Sequence, residues 1–329
     1  MKAIVYTKYG APDVLQLREV PKPVPGDNEV LIKIYATTVN RTDCATVRAI
    51  PFFMRLFTGL FGPKRQIPGT DFAGTIEAAG KNVTTFKVGD KVFGFDDQGS
   101  GSHAQYMTIR EDKGLATMPE NVTFEQATAS TEGAHYAYNF IKKVNLKAGQ
   151  KVLVYGASGA IGSAAVQLVK YFGLKVTAVC GTKNIELVKS LGADRVIDYT
   201  KEDFTRDKER YSYVFDCVGK SSFAKCRRLL EPGGVYISSD LGYMGQNALL
   251  PLITPVIKPL IGNKRTKFPI PRDIGGSILL VKRLIEEGRF KPVIDREYPL
   301  EQIAEAYKYV ETGQKTGNVV IVVQHDNTS

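Results

Sequence analysis

A strand, a glycine-rich turn and a helix follow one another directly between residues 152 and 172, and this order constrains the fold more than any other feature. The apolar run Val152–Tyr155 indicates a buried strand, and a helical pattern continues from 163 to 172. Between them, Gly156, Gly159 and Gly162 allow a tight turn and a close approach of the backbone to a ligand. Because amides at a helix start attract phosphate, this unit predicts a dinucleotide site.

The glycine spacing itself is GxxGxxG, whereas the common dinucleotide fingerprint is GxGxxG. A glycine turn alone is more often only structural, and it is the strand before it and the helix after it that favour phosphate binding. The residues of the turn expected to contact the cofactor are Gly156, Ser158, Gly159, Ala160, Ile161 and Gly162.

The end of the next strand indicates which dinucleotide is bound. Sites for NAD usually place Asp or Glu about 20 residues beyond the first glycines, where it holds the ribose diol. Here that strand ends at Cys180 and is followed by Gly181, Thr182 and Lys183, with no carboxylate before Glu186. A hydroxyl and a cation suit the 2′-phosphate of NADPH. NADPH is therefore the expected cofactor, the alternative for Lys183 being an ordinary solvated lysine.

The pattern of the whole chain predicts two domains, which its 329 residues accommodate. Short alternating runs, separated by Gly, Pro, Asn and Asp, indicate an all-β, barrel-like module in the N-terminal part. Alternating strands and helices then indicate a doubly wound parallel sheet, and the last strand is expected to return to the first module. The fold class is therefore α/β, with a first domain of residues 1–122 completed by 272–329 and a second domain of residues 123–271.

Composition restricts the environment and the partners. Lys and Arg outnumber Asp and Glu by 44 to 34, but the charges are scattered, so a solvated basic surface is favoured over nucleic-acid binding. The four cysteines form no CxxC pair, which indicates reduced thiols and a cytoplasmic protein. The most apolar segment, 248–261, is shorter than the about 20 residues that span a bilayer, and no signal peptide pattern is visible. No membrane partner is expected.

Five separated motifs resemble the medium-chain dehydrogenase/reductase superfamily, and specifically its zinc-independent quinone oxidoreductase-like branch. They are Pro68–Gly74, Val88–Val92, Gly156–Gly162, Leu191–Asp194 and Asp198–Tyr199. The resemblance covers nearly the whole chain and implies a GroES-like β-barrel catalytic domain with a Rossmann domain. It also implies a homodimer that transfers hydride from NADPH to a small-molecule quinone or α,β-unsaturated carbonyl substrate.

The zinc alcohol dehydrogenases of the same superfamily are an informative contrast. The resemblance places Asn40, Thr70 and Thr131 where those enzymes carry catalytic zinc ligands, and residues 96–113 hold no counterpart of their four-cysteine lobe. The three histidines and four cysteines do not cluster in the sequence, so no metal site is expected. Without a Lewis acid, an easily reduced acceptor is favoured over an alcohol.

The resemblance also implies where the chemistry occurs. Asn40 and Asp43 match an Asn-x-x-Asp element, and the Asn40 amide is expected to donate to an oxygen that gains charge as hydride arrives. The alternative is that both residues only cap a short helix. The expected catalytic set is Asn40, Asp43 and Thr131. Beyond the glycine turn and Gly181–Lys183, the residues expected near the cofactor are Tyr199, Val218, Ser239, Leu241 and Asn318.

Two other functions stay open from the sequence. A 2-enoyl thioester reductase would use a tyrosine proton donor, for which Tyr6, Tyr9 and Tyr35 are candidates. A non-catalytic protein that senses NADPH is the second, because a fold does not fix a function.

An apolar wall for a flat acceptor is a further expectation, with ordinary core packing as the alternative for each residue. Its candidates are Phe52, Phe53, Phe57, Tyr243 and Met244. The Pro-rich segment 246–273 is interpreted as a lid or a dimer contact.

Overall fold

The computed structural model describes residues 1–97, 101–240, 246–256 and 258–325, without the side chains of Lys258 and Leu260. The described strands are β1 (Lys2–Val5), β2 (Gln16–Glu19), β3 (Glu29–Val39), β4 (Asp71–Ala79), β5 (Lys91–Phe95), β6 (Tyr106–Arg110), β7 (Leu115–Thr117), β8 (Lys151–Tyr155), β9 (Lys175–Cys180), β10 (Arg195–Asp198), β11 (Tyr211–Asp216), β12 (Leu230–Ser238), β13 (Arg265–Lys267), β14 (Ile294–Pro299) and β15 (Asn318–Val322). The described α-helices are α1 (Arg41–Arg48), α2 (Arg55–Thr58), α3 (Phe124–Thr128), α4 (Glu132–Lys142), α5 (Ala160–Tyr171), α6 (Ile185–Ser190), α7 (Phe223–Cys226), α8 (Gln246–Ile253), α9 (Ile274–Glu286) and α10 (Ile303–Glu311).

The chain divides into two compact units. The first, here called the β unit, comprises Met1–Glu132, Ile274–Glu286 and Pro292–Ser329. The second, here called the sheet unit, comprises Gly133–Asp273 and Glu287–Lys291.

Helix α3 lies in the β unit, whereas the boundary expected from the sequence falls just before it, between residues 122 and 123. The helix packs on β3, β4 and β5. Its Phe124 ring stacks on Tyr35 of β3 at 4.7 Å between centroids. Apolar packing of this short helix on the sheet therefore moves the division of the chain to Glu132.

The β unit is built on a sheet of order β14-β15-β3-β4-β5-β7, with β6 paired to β3. In the middle of the long strand β3, the buried Ile32, Ile34 and Ala36 alternate with the less buried Lys33 and Tyr35, as expected for a strand with one face on a core. The last strand, β15, pairs antiparallel to β3, with Val319 opposite Val39. The C-terminal strand thus returns to the N-terminal module.

This pairing gathers polar residues at one edge of the β-unit sheet. Asn40 directly follows β3, Asp71 is the first residue of β4, and Asn318 is the first residue of β15. Because β3 runs antiparallel to both β4 and β15, the end of β3 lies beside the start of the other two strands. The fold therefore brings together residues that lie far apart in the sequence.

The sheet unit contains six parallel strands in the order β10-β9-β8-β11-β12-β13. Its strands are short and apolar, and Leu153, Val179 and Val214 are fully buried in one core with Tyr236. Continuous burial on both faces is what a parallel sheet covered by helices requires. Helix α5 connects β8 to the neighbouring β9 and buries most of its residues.

Two predicted helices differ in the structure. The helical stretch expected from Thr123 to Lys142 is two helices, α3 and α4, separated by residues 129–131. The helix expected over 222–230 is the shorter α7, after which β12 begins at Leu230. Across the described parts of the chain, none of the helices combines the length and the apolar character needed to cross a membrane.

Candidate functional site

The glycine turn of the sheet unit has the geometry of a phosphate cradle. Gly156 adopts φ +78°, and a Cβ there would lie 2.9 Å from the Val218 Cβ. A Cβ on Gly162 would lie 2.0 Å from the Gly156 carbonyl oxygen and 2.8 Å from the Ala157 Cα. The helix and the strand therefore approach so closely that only glycine fits at these two positions.

Gly159 has a different role, because it is the N-cap of α5 and carries no side chain that could satisfy the first turn. Its own amide donates to the Gly156 carbonyl at 3.1 Å, and the first helical bond runs from Ser163 N to Gly159 O at 2.8 Å. The amides of Ala160, Ile161 and Gly162 precede that bond and have no helical carbonyl to meet. Three donors at the positive end of a 12-residue helix fit a pyrophosphate.

The expected 2′-phosphate site follows β9 in the same unit. Lys183 is exposed. Tyr199 is about half exposed, and its hydroxyl lies 3.4 Å from the place of a Cβ on Gly181. The Thr182 hydroxyl donates to Asp198 Oδ2 at 2.6 Å, so its proton is already used within the protein. Of the side chains expected at this site, Lys183 and Tyr199 are thus exposed, whereas the Thr182 hydroxyl is bonded to Asp198.

Asp198 was not singled out from the sequence as a carboxylate near this edge. Hydrogen bonds from Thr182 and Thr200 hold the pKa of its carboxyl below the usual range. It therefore stays ionised beside Thr182, where it fixes the threonine side chain.

Asp216, at the end of β11, organises the turn that holds Val218. Its carboxylate accepts the amides of Val218 at 3.2 Å, Gly219 at 2.8 Å and Ser221 at 3.0 Å. Its backbone carbonyl accepts the amide of Ser239 at 3.0 Å. Two of the expected cofactor residues are thus positioned by one buried acid that sequence reasoning missed, while Leu241 lies outside the described residues.

The β unit holds a buried polar cluster centred on Asp71. Thr131 Oγ1 donates to Asp71 Oδ1 at 2.5 Å, and the Glu132 amide donates to the same oxygen at 3.2 Å. Asp71 Oδ2 accepts from the Asn40 amide nitrogen at 3.1 Å and from the Thr38 hydroxyl. Together with Lys315, these residues are here called the Asp71 cluster.

Asn40 uses every polar atom of its side chain in this cluster. Its Nδ2 donates to Thr38 Oγ1 at 2.9 Å as well as to Asp71. Its Oδ1 accepts from Lys315 Nζ at 3.2 Å, and Lys315 also donates to the Gly317 carbonyl at 2.7 Å. A lysine can only donate, so this contact fixes which end of the amide is oxygen.

The helix-capping alternative and the functional interpretation of Asn40 are compatible. Asn40 is the N-cap of α1, and its backbone amide donates to Asp43 Oδ2 at 2.8 Å. Asp43 therefore serves the helix start, whereas the Asn40 side chain points into the Asp71 cluster. Asn318 lies at the same sheet edge, but its amide donates to the carbonyls of Ala129 and Val293 at 2.9 and 3.1 Å.

Burial dominates the electrostatics of these groups. It raises the pKa of Asp71 to about 8, helped by the charge of Glu132 and opposed by the hydrogen bonds that Asp71 accepts. It raises the pKa of Asp43 well above its usual range, again with Glu132 nearby, and that of Glu132 itself. It lowers the pKa of Lys315 to about 8, while Glu132 holds that pKa up.

The three tyrosines considered as proton donors, Tyr6, Tyr9 and Tyr35, are not members of the Asp71 cluster. Tyr9 donates to the Gly59 carbonyl at 2.8 Å, and Tyr35 is stacked on Phe124. Burial raises the pKa of Tyr6 to about 12, so its hydroxyl keeps its proton at neutral pH.

Comparison with known proteins agrees with this geometry. A family model described as an alcohol dehydrogenase GroES-like domain matches residues 26–120, and one described as a zinc-binding dehydrogenase matches residues 191–321. The chain is 32% identical to the NADPH-dependent alkenal/one oxidoreductase of Arabidopsis thaliana, over 98% of this chain and 79% of that protein. It is 30% identical to the quinone oxidoreductase of Homo sapiens over 98% of both chains. The chain belongs to the quinone oxidoreductase-like branch of the medium-chain dehydrogenases/reductases.

The fold of this family member is also that of solved relatives. The quinone oxidoreductase of Coxiella burnetii superimposes with a TM-score of 0.86 at 26% identity, over 98% of this chain and 99% of that one. The α/β class with a GroES-like part and a parallel Rossmann-type sheet is confirmed.

The zinc in the name of one family model does not fit the donor set of this family member. Asn40, Thr70 and Thr131, at the places expected for catalytic ligands, offer one amide and two hydroxyls, and zinc prefers thiolate, imidazole and carboxylate. The imidazole of the buried His103 contacts the Thr38 carbonyl at 2.8 Å through Nε2. Within the described ranges, no group of three or more His, Cys, Asp or Glu residues is arranged to hold a metal ion.

Sequence reasoning missed Lys315 and the roles of Asp71 and Glu132. Asp71 lies within Pro68–Gly74, one of the motifs that carry the family resemblance. The motif therefore marked this position, but it did not indicate that Asp71 accepts hydrogen bonds from Asn40 and Thr131. Lys315 lies 275 residues from Asn40, and only the pairing of β15 with β3 brings the two together.

Proposed function

We propose that this chain is an NADPH-dependent, zinc-independent oxidoreductase that transfers hydride to a quinone or an α,β-unsaturated carbonyl. The names of its relatives, an alkenal/one oxidoreductase and quinone oxidoreductases, support this class of acceptor. The single observation that carries the proposal is the Asp71 cluster. It offers an amide and an ammonium group that can stabilise a negative oxygen. Besides the carboxylates of Asp71 and Glu132, it offers neither thiolate nor imidazole for a metal.

We propose a division of roles between the units, with NADPH held by the sheet unit and the substrate by the β unit. The glycine turn, through the first-turn amides of α5, would hold the pyrophosphate. Lys183 and Tyr199 would meet the 2′-phosphate, which supports NADPH over NADH. When bound, NADPH supplies the hydride, and the protein supplies orientation and electrostatics.

In this proposal Asn40 is the catalytic residue of the β unit. Of its two amide hydrogen bonds, the one to Asp71 is longer, at 3.1 Å against 2.9 Å to Thr38. An acceptor oxygen that gains charge would replace Asp71 in that contact. The raised pKa of Asp71 favours this exchange, because a neutral carboxyl has less need of the donor than a carboxylate.

Lys315, Asp71 and Thr131 act as positioning residues. Lys315 donates to the Asn40 carbonyl oxygen, which polarises the amide and strengthens it as a donor. Thr131 holds Asp71 from the opposite side, at 2.5 Å. Asp43 holds the backbone of Asn40 at the start of α1.

Replacing Asn40 tests the proposal. In Asn40→Ala we expect kcat with a small quinone to fall by about 100- to 1000-fold, as when one oxyanion donor is removed, with NADPH affinity unchanged. Asn121→Ala is the control for loss of an asparagine amide elsewhere in the β unit, because the amide of this exposed residue donates to the Ile285 carbonyl at 3.1 Å. Its kcat should stay within about twofold. Wild-type turnover in Asn40→Ala would remove Asn40 from the mechanism.

Turnover also separates this function from the other two. A protein that only senses NADPH would bind it without consuming it, and a 2-enoyl thioester reductase would prefer a thioester over a quinone or enone. The names of the relatives favour neither alternative. A separate test concerns zinc: activity that persists after dialysis against a chelator would support zinc independence.

We propose further that the protein is a homodimer of the cytoplasm. The exposed Leu249, Leu252 and Val256 in and after α8 support a contact between copies through the segment 246–273. The four cysteines are all free thiols, which supports a reducing compartment. Light scattering on the purified protein measures the oligomeric state, with Leu252→Ser as the variant that tests the contact. A monomeric wild type would contradict the proposed homodimer.

A further inference from the structure

Residues 50–61 of the β unit expose a concentration of large apolar side chains. They are Ile50, Phe52, Phe53, Leu56, Phe57, Leu60 and Phe61, here called the Phe patch. The Phe61 side chain is 99% exposed and that of Phe57 is 75% exposed. The expected acceptor wall included Phe52, Phe53 and Phe57, which in the structure face solvent rather than a core. Seven exposed large apolar side chains within twelve residues mark an interaction surface in a folded protein.

The Phe patch is an ordered surface, because its backbone is fastened to the rest of the β unit. The Tyr9 hydroxyl lies 2.8 Å from both Thr58 Oγ1 and the Gly59 carbonyl, and Lys64 N donates to Thr58 O at 2.8 Å. Gly59 has φ +127°, and a Cβ there would lie 2.0 Å from the Gly62 carbonyl oxygen. The exposed rings are thus held outward by a turn that only glycine permits.

The charged residues of the segment that carries the Phe patch are all cations. The sequence contains no Asp or Glu between Asp43 and Asp71, but it contains Arg48, Arg55, Lys64 and Arg65 there. Arg48 pairs with Glu311. The Arg55 guanidinium lies over the Tyr9 and Phe52 rings, at 5.0 and 4.9 Å. Lys64 and Arg65 are exposed, and in the described part of the chain neither forms an ion pair.

We propose that the Phe patch docks on the surface of a lipid bilayer that carries anionic headgroups. Aromatic and aliphatic side chains insert at the boundary between headgroups and acyl chains, while flanking Lys and Arg meet lipid phosphates. Residues 50–65 carry both kinds of side chain on one segment. A second copy of the chain is a poorer occupant, because pairing two Phe patches would bring their cations together with no acid in the segment to compensate.

A lipid bilayer is a partner that the sequence did not predict. The lack of a segment long enough to span a membrane led to the expectation of no membrane partner. Docking of this kind needs no spanning helix, because the contact is confined to the interface.

Flotation of the full-length protein with lipid vesicles tests the inference. We expect it to float with phosphatidylcholine vesicles that contain phosphatidylserine, and to float much less with phosphatidylcholine alone. Leu56→Ser/Phe61→Ser should lower the partition coefficient by about tenfold or more. Lys64→Glu/Arg65→Glu should lower it by about 30-fold, and added salt should weaken the wild-type binding.

Matched controls separate the patch from general properties of the surface. Val24→Ser/Val88→Ser removes two other exposed apolar side chains of the β unit, and Lys87→Glu/Lys113→Glu reverses two other exposed lysines. Both should bind vesicles like the wild type, and thermal melts should show that all variants fold.

Three results would overturn the inference. They are no flotation with any vesicle, equal flotation with neutral and anionic vesicles, and equal losses in the control variants. A concentration-dependent dimer that Leu56→Ser/Phe61→Ser dissociates, without vesicle binding, would assign the patch to a contact between copies instead.

Discussion

The carbonyl oxygen of Gly156 occupies the space that any side chain at position 162 would need. In Gly162→Ala the new Cβ would lie 2.0 Å from that oxygen and 2.8 Å from the Ala157 Cα. Both neighbours are backbone atoms of the same turn, so no side-chain rotation relieves the contact. The turn between β8 and α5 must therefore open.

The size of the effect follows from two opposing contributions. Alanine in place of glycine stabilises a helix by at most about 1 kcal/mol. Forcing an extra methyl into a closed backbone contact costs about 1–3 kcal/mol or more. Because contact at 2.0 Å is far inside van der Waals distance, the second contribution dominates for Gly162→Ala. Taking the upper end of that cost less the helix gain, we expect a net loss of about 2 kcal/mol or more of unfolding free energy, measured by urea denaturation.

Gly159→Ala is the matched variant in the same turn. Its Cβ would meet only the Gly156 oxygen, at 3.6 Å, and its φ of −78° suits alanine. Stability should therefore stay within about 0.5 kcal/mol of the wild type. The methyl would nevertheless stand where the pyrophosphate approaches the helix start. Loss of one charge-assisted hydrogen bond, about 1.5–3 kcal/mol, corresponds to a rise in the NADPH Kd of roughly 10- to 150-fold.

Calorimetric titration is the assay of choice, because the chain contains no tryptophan whose quenching could report binding. Gly275→Ala, at a helical glycine with open space around it, controls for the exchange itself and should bind NADPH normally. Wild-type NADPH affinity in Gly159→Ala would refute the placement of the phosphates. Wild-type stability in Gly162→Ala would refute the steric argument.

Three further predictions concern charge and capping. Lys183→Ala should weaken NADPH binding by about tenfold or more and leave NADH unchanged, whereas Lys208→Ala, another exposed lysine of the sheet unit, should alter neither Kd. The kcat of the wild type should fall as pH rises through about 8, because Lys315 then loses the proton it donates to the Asn40 oxygen. The pKa of Asp71 is also about 8 and its neutral form favours the exchange at Asn40, so Lys315→Met should leave only the Asp71 part of that limb and Asp71→Asn only the Lys315 part. An unchanged limb in Lys315→Met would assign it elsewhere. Thr123→Ala removes the side-chain cap of α3 and should cost about 1 kcal/mol in urea unfolding, and an unchanged midpoint would contradict the capping role.

The features predicted well from the sequence are those encoded within a short stretch. The order of strand, glycine turn and helix at 152–172 depends on neighbouring residues, and the structure has the same elements, with α5 starting at Ala160. The end of β9 at Cys180, followed by Gly181, is likewise a local feature. It predicted Lys183 just after the strand, and in the structure Lys183 is exposed there.

The features that were missed depend on contacts between distant segments. No local pattern indicates that Lys315 donates to Asn40, because this contact arises only when β15 pairs with β3. Nor does one indicate that Asp71 accepts from Thr131, because that contact needs α3 to pack on β3 and β4. The free hydroxyl expected of Thr182 was lost for the same reason, since Asp198 lies on the neighbouring strand β10. Competition from a tertiary partner decides which donors remain for a ligand.

The pairing of β15 with β3 also sets the order in which the protein is completed during synthesis. All the strands of the sheet unit precede β15 along the chain, so that unit can form its sheet while the β unit still lacks a central strand. Asn40 leaves the ribosome 275 residues before Lys315, its partner. The nascent chain therefore gains its glycine turn early and its Asn40–Lys315 contact last, and no half-made chain carries the complete Asp71 cluster.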